Sequence, residues 1–551
     1  MDGDRETKET DTSRQGASTR LTRRDITSAM AISGATMSMT TSAVAESAET
    51  EPSQHGVVAA GSQPAADAGA EILAAGGNAV DAAIATAIAM AVVDPANTSV
   101  MGRTHILVLN ESCECAAING RSAVPAAWQG GKATTAAGVI PVGGNLRSYE
   151  EAVRRFGRLT LAQVCTPAIR LARDGFVVRS NLARAWSRMA PDLQRNPVTA
   201  RLFLKAGGLP WRDGETFRQP QLGKSLAHYA TGGADRFLDQ TLARDLRALQ
   251  RAGSQLSAHD FHTYRPIDAE HVETHYRGWD VWTIGRQGYG YFLSEVLAFL
   301  EAHDLQSLSD GDRWAVMLVA QRVAFRDRTV ALGADASSVV DRGHIQSRGQ
   351  EIRALLESGN VASLFAAEPP TPGVPHDTTH ISAVDAQGMV ASITQSIGPH
   401  FGSAFASPGG YLFAHSYQME SGQRIEDRDT TAMLPTILRS PDGMLTALEA
   451  AGSDRIRGAV IRAIVNMVDL GMSPQRAASE PACVIHDGYV QVSPELEASV
   501  PSRLAQIGIP TRLVARNEGE HFGLLHIAGR YADGRFAAGA DTYWDGGSSR
   551  A

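Results

Sequence analysis

The pattern of apolar positions after residue 55 predicts one strand followed by two helices. Gly56–Ala60 is a short apolar run, as expected of a buried strand. Pro64 suits the first turn of a helix that ends at Gly76, and Asn78 suits the N-cap of a second helix that ends at Val93. The second helix is apolar on nearly every side, so other elements must cover all of it. This is typical of an inner helix in a layered α/β fold.

The middle third of the chain is dominated by amphipathic helical patterns. Apolar residues recur at helical spacing along residues 148–156, 161–174 and 314–326. Residues 206–219 and 272–288 contain glycine and tryptophan between these helices, and we expect loops there. The sequence has no repeat of the solenoid type. This part of the chain therefore predicts helices joined by loops.

A proline-rich stretch separates these helices from a predicted hairpin. Residues 366–376 form the strongest candidate boundary in the chain, because 369–373 include three prolines and a glycine. Two β-branched runs follow, on either side of a turn at 385–388 that contains glycine. We expect Val384 to pair with Met389 across this turn.

The predicted hairpin gives Thr378 the groups that a threonine nucleophile needs. Its register places Thr378 opposite Gln395 and next to Thr394 and Ser396, whose side chains share one face of their strand. A threonine hydroxyl attacks a carbonyl group only when a nearby base accepts its proton. Cleavage of the Asp377–Thr378 bond would free an α-amino group with a pKa of about 8, which is such a base. The same hydroxyl, attacking the carbonyl group of Asp377, would explain the cleavage itself.

The residues alone leave two other interpretations of this segment. The threonines can serve only as strand-forming residues of a surface hairpin. His376, Asp377 and His380 can bind a metal, although the threonine pair and Pro375 oppose the helix that would align the two histidines. We predict no metal site here. A serine nucleophile of the G-x-S-x-G type is excluded, since the sequence lacks that motif.

Composition and charge exclude some classes of function. The chain has 551 residues, 43% hydrophobic and 20% charged, which is an ordinary globular balance. Its formal net charge is −8 and it has no lysine- and arginine-rich run, so we do not expect nucleic-acid binding. Its four cysteines are too few for a disulfide framework, and the Cys113–Cys115 pair lacks zinc-site spacing. The longest apolar helix candidate, residues 79–93, is shorter than the ~20 residues of a membrane span.

The N-terminal sequence resembles a twin-arginine export signal. Arg23 and Arg24 precede a mildly apolar run over residues 26–41, and an A-x-A cleavage site ends at Ala45. We therefore expect residues 1–45 to be removed and the mature protein to be periplasmic or secreted. The alternative is an unstructured tail that contains a chance arginine pair.

Several motifs along the chain occur together and in a characteristic order. Thr378-Thr379-His380 opens a stretch that continues through Ser382 to Asp385. The other motif residues are 74–83, 167–172, Gly175-Phe176, Gly388, Thr394, Ser396, Phe401-Gly402 and Gln418-Met419. Together they resemble the γ-glutamyltranspeptidase family of N-terminal nucleophile hydrolases, from about Gly56 to the C-terminus.

The resemblance implies an α/β fold of the αββα sandwich type, with two strand layers covered by helices. It implies self-cleavage into a large subunit, residues 46–377, and a small catalytic subunit, residues 378–551. The implied reaction is acyl transfer: the γ-glutamyl group of glutathione or a related amide moves to Thr378 and then to water or an amine. No cofactor is implied, since all the reacting groups belong to the protein. The partners are then a small amide or peptide substrate and the two subunits of one precursor.

The resemblance also assigns roles to individual residues. Thr378 is the nucleophile, and the Ser396 hydroxyl orients it. Ala451 and Gly452 supply backbone N–H groups to the oxyanion. Arg121 matches the residue that binds the substrate α-carboxylate, a task that suits the planar guanidinium fork. Three more residues fall at substrate-binding positions: Gln418, Glu420 and Thr431.

Some positions depart from the family pattern. Gly398 stands where the family has asparagine, and Arg103 interrupts its usual glycine run. Glu420 and Ser421 stand where it has two acids, one of which binds the substrate ammonium, and Thr431 replaces a serine. The acyl-transfer residues are kept and the α-amino-acid clamp is altered. The alternatives are therefore an amidohydrolase or acylase for another carboxylate-bearing amide, or an exported relative that binds a ligand without catalysis.

Overall fold

The computed structural model describes residues 54–365, 376–429, 431–486, 488–515 and 521–551. The proposed export signal and most of the proline-rich boundary, residues 366–375, lie outside these residues. Within the described ranges, no helix combines the length and apolar character that a membrane crossing requires.

Two antiparallel sheets stack face to face at the centre of the described chain. Val57 and Leu107 of the first sheet and Ile437 and Ala447 of the second belong to the apolar layer between them. Within the described residues the first sheet has seven strands, in the order β18 (Gly547–Arg550), β1 (Gly56–Ala60), β9 (His376–Asp385), β10 (Val390–Pro399), β2 (Arg103–Leu109), β3 (Cys115–Gly120) and β6 (Ile267–Asp268). The second has six, in the order β17 (Phe536–Ala540), β16 (Leu524–Arg530), β12 (Leu445–Ala451), β11 (Thr436–Arg439), β8 (Trp279–Ile284) and β7 (His271–Tyr276).

Helices pack on the outer face of each sheet. Those that share an apolar core with the first sheet are α1 (Gln63–Ala74), α2 (Ala79–Val93), α3 (Asn145–Phe156), α4 (Leu161–Asp174), α5 (Ser180–Gln194), α6 (Pro197–Phe203), α7 (Pro220–Arg251) and α8 (Ala258–Thr263). Those on the second sheet are α9 (Gly290–Glu301), α10 (Asp310–Arg326), α12 (Arg342–Ser358), α14 (Arg455–Val468), α15 (Pro474–Ser479) and α16 (Ser499–Gln506). The layers run helix, sheet, sheet, helix, which confirms the predicted αββα sandwich.

Besides three 3-10 helices, Ala206–Gly208, Ala336–Val340 and Ala362–Phe365, the described chain has a few further short elements. They are α11 (Arg328–Ala331), α13 (Tyr417–Ser421), the pair β4 (Phe176–Val177) and β5 (Thr216–Phe217), and a small sheet of β13 (Cys483–His486), β14 (Tyr489–Val492) and β15 (Thr511–Leu513).

The first three elements form as predicted. The Asn78 side chain accepts the N–H groups of Val80 and Asp81, and the Asp81 carboxylate accepts the N–H of Asn78 at 3.1 Å. This reciprocal cap fixes the start of α2. Every residue of α2 is buried, as its apolar surface requires.

The loop predicted for residues 272–288 is wrong, because most of it forms a hairpin of β7 and β8. The two strands pair from His271 with Ile284 to Tyr276 with Trp279. Exposed and covered residues alternate along β7, which is the period of a strand on the surface. The turn uses Arg277-Gly278, both with positive φ.

The hairpin of β9 and β10 forms, but its register differs by one residue from the prediction. Val384 pairs with Val390 rather than with Met389. Met389 belongs to the turn, because its N–H donates to the Asp385 carboxylate at 3.0 Å. The other oxygen of Asp385 accepts the N–H of Ala79 at 3.0 Å. One buried carboxylate thus fixes both the hairpin turn and its contact with the start of α2.

Candidate active site

A β-bulge in β10 lies opposite Thr378, the nucleophile predicted from the sequence. The ladder between β9 and β10 shifts between Gln395 and Gly398, so Ser396 and Ile397 of β10 lie opposite Thr378 of β9. A bulge takes a residue out of regular pairing and re-aims the neighbouring side chains, as often happens beside active sites. Because Gln395 pairs with Thr379, Thr378 lies opposite Ser396 rather than Gln395, the partner that the predicted register gave it.

Thr378 and Ser396 are both largely buried, at 7% and 6% exposure. The Ser396 hydroxyl accepts the N–H of Gly398 at 3.0 Å, which holds it at the bulge. Thr378 is two residues before His380 and so shares its face of β9, the face that meets the second sheet. The neighbouring Thr379 points the other way, since its hydroxyl lies against Gly61 at the end of β1. Only the first threonine of the pair faces the inter-sheet layer.

A buried polar network lies behind Thr378. The His380 ring is hydrogen-bonded through Nδ1 to Thr394 at 3.0 Å and through Nε2 to Ser382 at 2.9 Å. The Thr394 hydroxyl donates to Glu449 of β12, which also accepts the N–H of Leu434 at 2.6 Å. Burial raises the pKa of Glu449 well above its usual value and lowers that of His380 well below. Both shifts favour the neutral form of each group, and the network joins β9, β10 and β12 behind Thr378.

Strand β12 runs toward Thr378. Ala447 lies in the apolar layer, whereas Glu449, two residues on, is 3.3 Å from Nδ1 of His380. Strand β9 runs back from that apolar layer through His380 to Thr378. The next inward residue of β12, Ala451, therefore continues toward Thr378.

The turn after β12 leads directly into α14. Gly452 and Ser453 have φ of +128° and +57°, two successive residues in conformations that favour glycine. A Cβ at Gly452 would lie 2.4 Å from Cε1 of His521, so a larger residue there would have to displace that ring. Ala451, predicted as a donor together with Gly452, is the last residue of β12, and the role of both N–H groups stays a prediction.

Arg121 is buried and its guanidinium fork is occupied. Nη1 and Nη2 donate to the two carboxylate oxygens of Glu426 at 2.7 and 3.1 Å. Nη1 also donates to the carbonyl oxygen of Asp429 at 3.1 Å, and Nε to the Asn119 side chain at 3.3 Å. A carboxylate of the chain itself therefore sits where the sequence placed the carboxylate of the substrate.

Gln418 holds the segment that carries Glu426. Its side-chain oxygen accepts the N–H groups of Ile425 and Glu426 at 2.6 and 3.0 Å. Its nitrogen donates to the carbonyl oxygens of Glu426 and Arg428 at 3.2 and 2.9 Å. The amide that the sequence assigned to substrate binding is engaged with this loop.

The other predicted substrate-binding residues lie in the same region. Glu420, in α13, is 3.2 Å from Nε2 of His415. The Thr431 hydroxyl accepts the N–H of Met433 at 3.2 Å, at the approach to β11. The roles of these residues in substrate binding stay predictions.

Arg103 occupies space that the family pattern gives to another residue. It pairs with Ser396 across β2 and β10, is 2% exposed, and donates to the carbonyl oxygen of His415 at 2.8 Å. A Cβ at Gly398 would lie 3.0 Å from its Nη2. The guanidinium thus takes the place of a side chain at 398, which links two of the departures noted in the sequence.

The metal interpretation of the Thr378 segment gains no support from the described side chains. His380 bonds to hydroxyl groups inside the sheet layer, and the side chains of His376 and Asp377 are outside the description. Among the described residues, two groups have ligand atoms close enough to hold an ion, and neither includes a residue of β9. These groups are Glu273, His275 and Asp280, and Glu295, Asp327 and His344.

Sequence reasoning missed Glu426 and Glu449. Glu426 lies 305 residues from Arg121 along the chain, and nothing local marks it as a partner. Glu449 interrupts an apolar strand, Leu445–Ala451, and an acid inside a buried strand is a signal that it has a polar partner.

The sequence is similar to known proteins along most of its length. The family model described as Gamma-glutamyltranspeptidase matches residues 65–551. The Acylase ACY 1 proenzyme of Pseudomonas sp. (strain SE83) is 31% identical over 491 residues, which cover 82% of this chain and 85% of that protein. The Glutathione hydrolase proenzyme of Escherichia coli (strain K12) is 25% identical over 468 residues, covering 78% and 80%.

Solved structures share the fold. The cephalosporin acylase from Bacillus halodurans has a TM-score of 0.79 at 24% identity, covering 91% of this chain and 96% of that one. The γ-glutamyltranspeptidase of Helicobacter pylori has a TM-score of 0.50 at 24% identity, covering 53% and 89%.

Proposed function

Because the chain belongs to the γ-glutamyltranspeptidase family, we propose that it is a self-cleaving enzyme that transfers acyl groups from amides through Thr378. The observation that carries this proposal is the strand register, which sets Thr378 opposite Ser396 at a bulge, on the face of β9 that meets the end of β12. The relatives named above are proenzymes, which supports a precursor that yields two subunits, 46–377 and 378–551.

The first step is the cleavage of the chain itself. The Thr378 hydroxyl attacks the carbonyl carbon of Asp377, its proton passes to the departing nitrogen, and an ester replaces the peptide bond. Water hydrolyses the ester, leaving a carboxylate on Asp377 and a free amino group on Thr378. Only after this step does the nucleophile have its own base.

The second step is acyl transfer from an amide substrate. The free amino group of Thr378 accepts the hydroxyl proton while the oxygen attacks the substrate carbonyl. Ser396 orients the nucleophile, and the backbone N–H groups of Ala451 and Gly452 stabilise the oxyanion. The proton moves to the leaving amine, and water or a second amine then releases the acyl group from the threonine ester.

For the substrate we propose a γ-glutamyl compound such as glutathione, consistent with the family and with Arg121 as a carboxylate receptor. The second candidate is an acyl amide of the kind an acylase hydrolyses. Two contacts favour this second candidate. Glu426 already occupies the guanidinium of Arg121, and Glu420 is engaged with His415. No cofactor enters either reaction. Export through the N-terminal signal, to the periplasm or the medium, is part of the proposal.

The test is cleavage and turnover in variants of the two adjacent threonines. We expect the purified protein to run as two pieces, with the smaller one beginning Thr-Thr-His-Ile-Ser on N-terminal sequencing. Thr378→Val should stay whole and inactive. Thr379→Val is the matched control, because its hydroxyl is buried without a hydrogen-bond partner and faces away from the site.

Turnover then distinguishes the substrate candidates. The mature protein is assayed with γ-glutamyl, glutaryl and uncharged acyl anilides. Fastest release from the γ-glutamyl anilide supports the first candidate, and fastest release from another acyl anilide supports the second. An uncut chain that releases no anilide would instead indicate a silent ligand-binding relative and refute the enzyme proposal.

A further inference from the structure

Glu426 and Arg121 form an ion pair between an exposed carboxylate and a buried guanidinium. Arg121 is 5% exposed and cannot swing out, whereas the Glu426 side chain is 43% exposed. The pairing is bidentate, the geometry in which a guanidinium holds a carboxylate most strongly. Any carboxylate that approaches Arg121 from solvent therefore meets Glu426 first.

The backbone around Glu426 is anchored on both sides. Gln418 binds the backbone of residues 425–428 through four hydrogen bonds. The carbonyl oxygen of Asp427 accepts the N–H of Val124, and the N–H of Asp429 donates to Ser122. The loop that follows Arg121 is thus hydrogen-bonded to the loop that carries Glu426. The acid is presented to Arg121 by a fixed backbone, and only its side chain is free to leave.

The neighbouring charges are also paired within the chain. Asp429 lies 3.4 Å from Nη1 of Arg103 and accepts the hydroxyls of Ser122 and Ser416. Asp427 lies against Arg424. Arg103 and Arg424, like Arg121, are therefore each already paired with a carboxylate of the chain.

We propose that Glu426 determines acyl-donor specificity by competing with the substrate carboxylate for Arg121, an inference that rests on the proposed function of this same site. A donor that carries a carboxylate must displace Glu426, whereas a donor with an uncharged acyl chain need not. Charge-assisted hydrogen bonds of this kind are worth about ten- to a hundredfold in affinity. Removing the Glu426 charge should raise the affinity for carboxylate-bearing donors by that factor. The affinity for uncharged donors should stay the same.

The experiment compares two anilides of matched length on the mature enzyme. Glutaryl anilide ends in a carboxylate, and pentanoyl anilide ends in a methyl group at the same place. In Glu426→Gln we expect kcat/KM for the glutaryl anilide to rise about ten- to a hundredfold, mainly through KM, with less than a twofold change for the pentanoyl anilide. Equal changes for both anilides, or none for either, overturn the proposal.

The matched control is Asp427→Asn, which removes the adjacent acid of the same loop. Its side chain pairs with Arg424 and not with Arg121, so both anilides should react as with the unmodified enzyme. The double variant Glu426→Gln, Arg121→Gln should lose the gain in glutaryl turnover. Persistence of the gain without Arg121 would show that Glu426 does not act through it.

A binding measurement separates this proposal from the proposed reaction. Glutarate is titrated calorimetrically into the protein and into Glu426→Gln, with no turnover required. We expect glutarate to bind about tenfold or more tightly to the variant, even if neither protein releases an anilide. Equal dissociation constants would overturn the competition, whereas absent turnover with a tenfold difference would refute only the acyl-transfer proposal.

Discussion

At the scale of single residues, the site shows one substitution compensated by another. Arg103 and Gly398 lie on neighbouring strands, and the guanidinium of the first fills the space of a side chain at the second. Gly398 has a φ of +99°, which penalises any other residue there even before the contact with Arg103 is counted. The two departures from the family pattern are therefore one structural change.

This pairing predicts a coupled effect on stability. Gly398→Asn alone should destabilise the protein, because its Cβ would press on Arg103. Arg103→Gly alone should destabilise it too, since Asp429 loses its buried partner. We expect the double variant to be more stable than the sum of the single effects by about 1–3 kcal/mol, measured by urea unfolding. Additive effects would show that the two positions are independent.

Arg121 marks the limit of sequence reasoning at this scale. Its role as a carboxylate receptor followed from a short motif, and the structure does give it a carboxylate. That carboxylate is Glu426, which the fold brings from far along the chain. A contact between two loops depends on the arrangement of the whole sandwich, and no local pattern encodes it.

At the scale of elements, the hairpin of β9 and β10 is set by its turn. Its strands could be predicted because β-branched residues flank a glycine turn. The register could not, since it depends on how the Asp385 side chain folds back on the turn. The acid accepts the N–H groups of Gln387 and Met389 at 2.9 and 3.0 Å, and that of Ala79 at 3.0 Å. A one-residue error in the turn then moved the expected partner of Thr378 from Ser396 to Gln395.

Asp385→Ala should therefore damage both stability and self-cleavage. Three backbone N–H groups lose their acceptor, two of them on buried residues, which costs about 2–4 kcal/mol. A looser register would also misplace Thr378 at the bulge, and we expect slower conversion of the precursor. Urea unfolding and the time course of the two pieces on a gel measure these effects.

Gln387→Ala, in the same turn but exposed, is the control. It should change stability by less than about 0.5 kcal/mol and leave the cleavage rate as it is. Slow cleavage in the control as well would mean that the turn matters for reasons other than the Asp385 carboxylate.

At the scale of the whole molecule, the space between the sheets is apolar at one end and polar at the other. The polar end contains buried histidines, among them His526, which pairs with Glu449 across β16 and β12. Burial lowers the pKa of His526 to about 3. The alternation of inward and outward side chains along the strands could be predicted from the sequence. The burial of histidines between the sheets could not, because it requires both sheets to be in place.

The stability of the sandwich should consequently depend on pH through His526. Its folded pKa lies below the unfolded value of about 6.5, so the unfolded state binds the proton first. The favourable contribution is fully present above pH 6.5 and falls as pH drops from there toward 3. We measure the free energy of unfolding in urea at each pH. Between pH 7 and pH 5 we expect it to fall by about 2 kcal/mol more in the unmodified protein than in His526→Gln. His259→Gln, which changes an exposed histidine, should retain the full pH dependence. Parallel curves for all three proteins would mean that His526 is protonated as easily in the folded sandwich as in the unfolded chain.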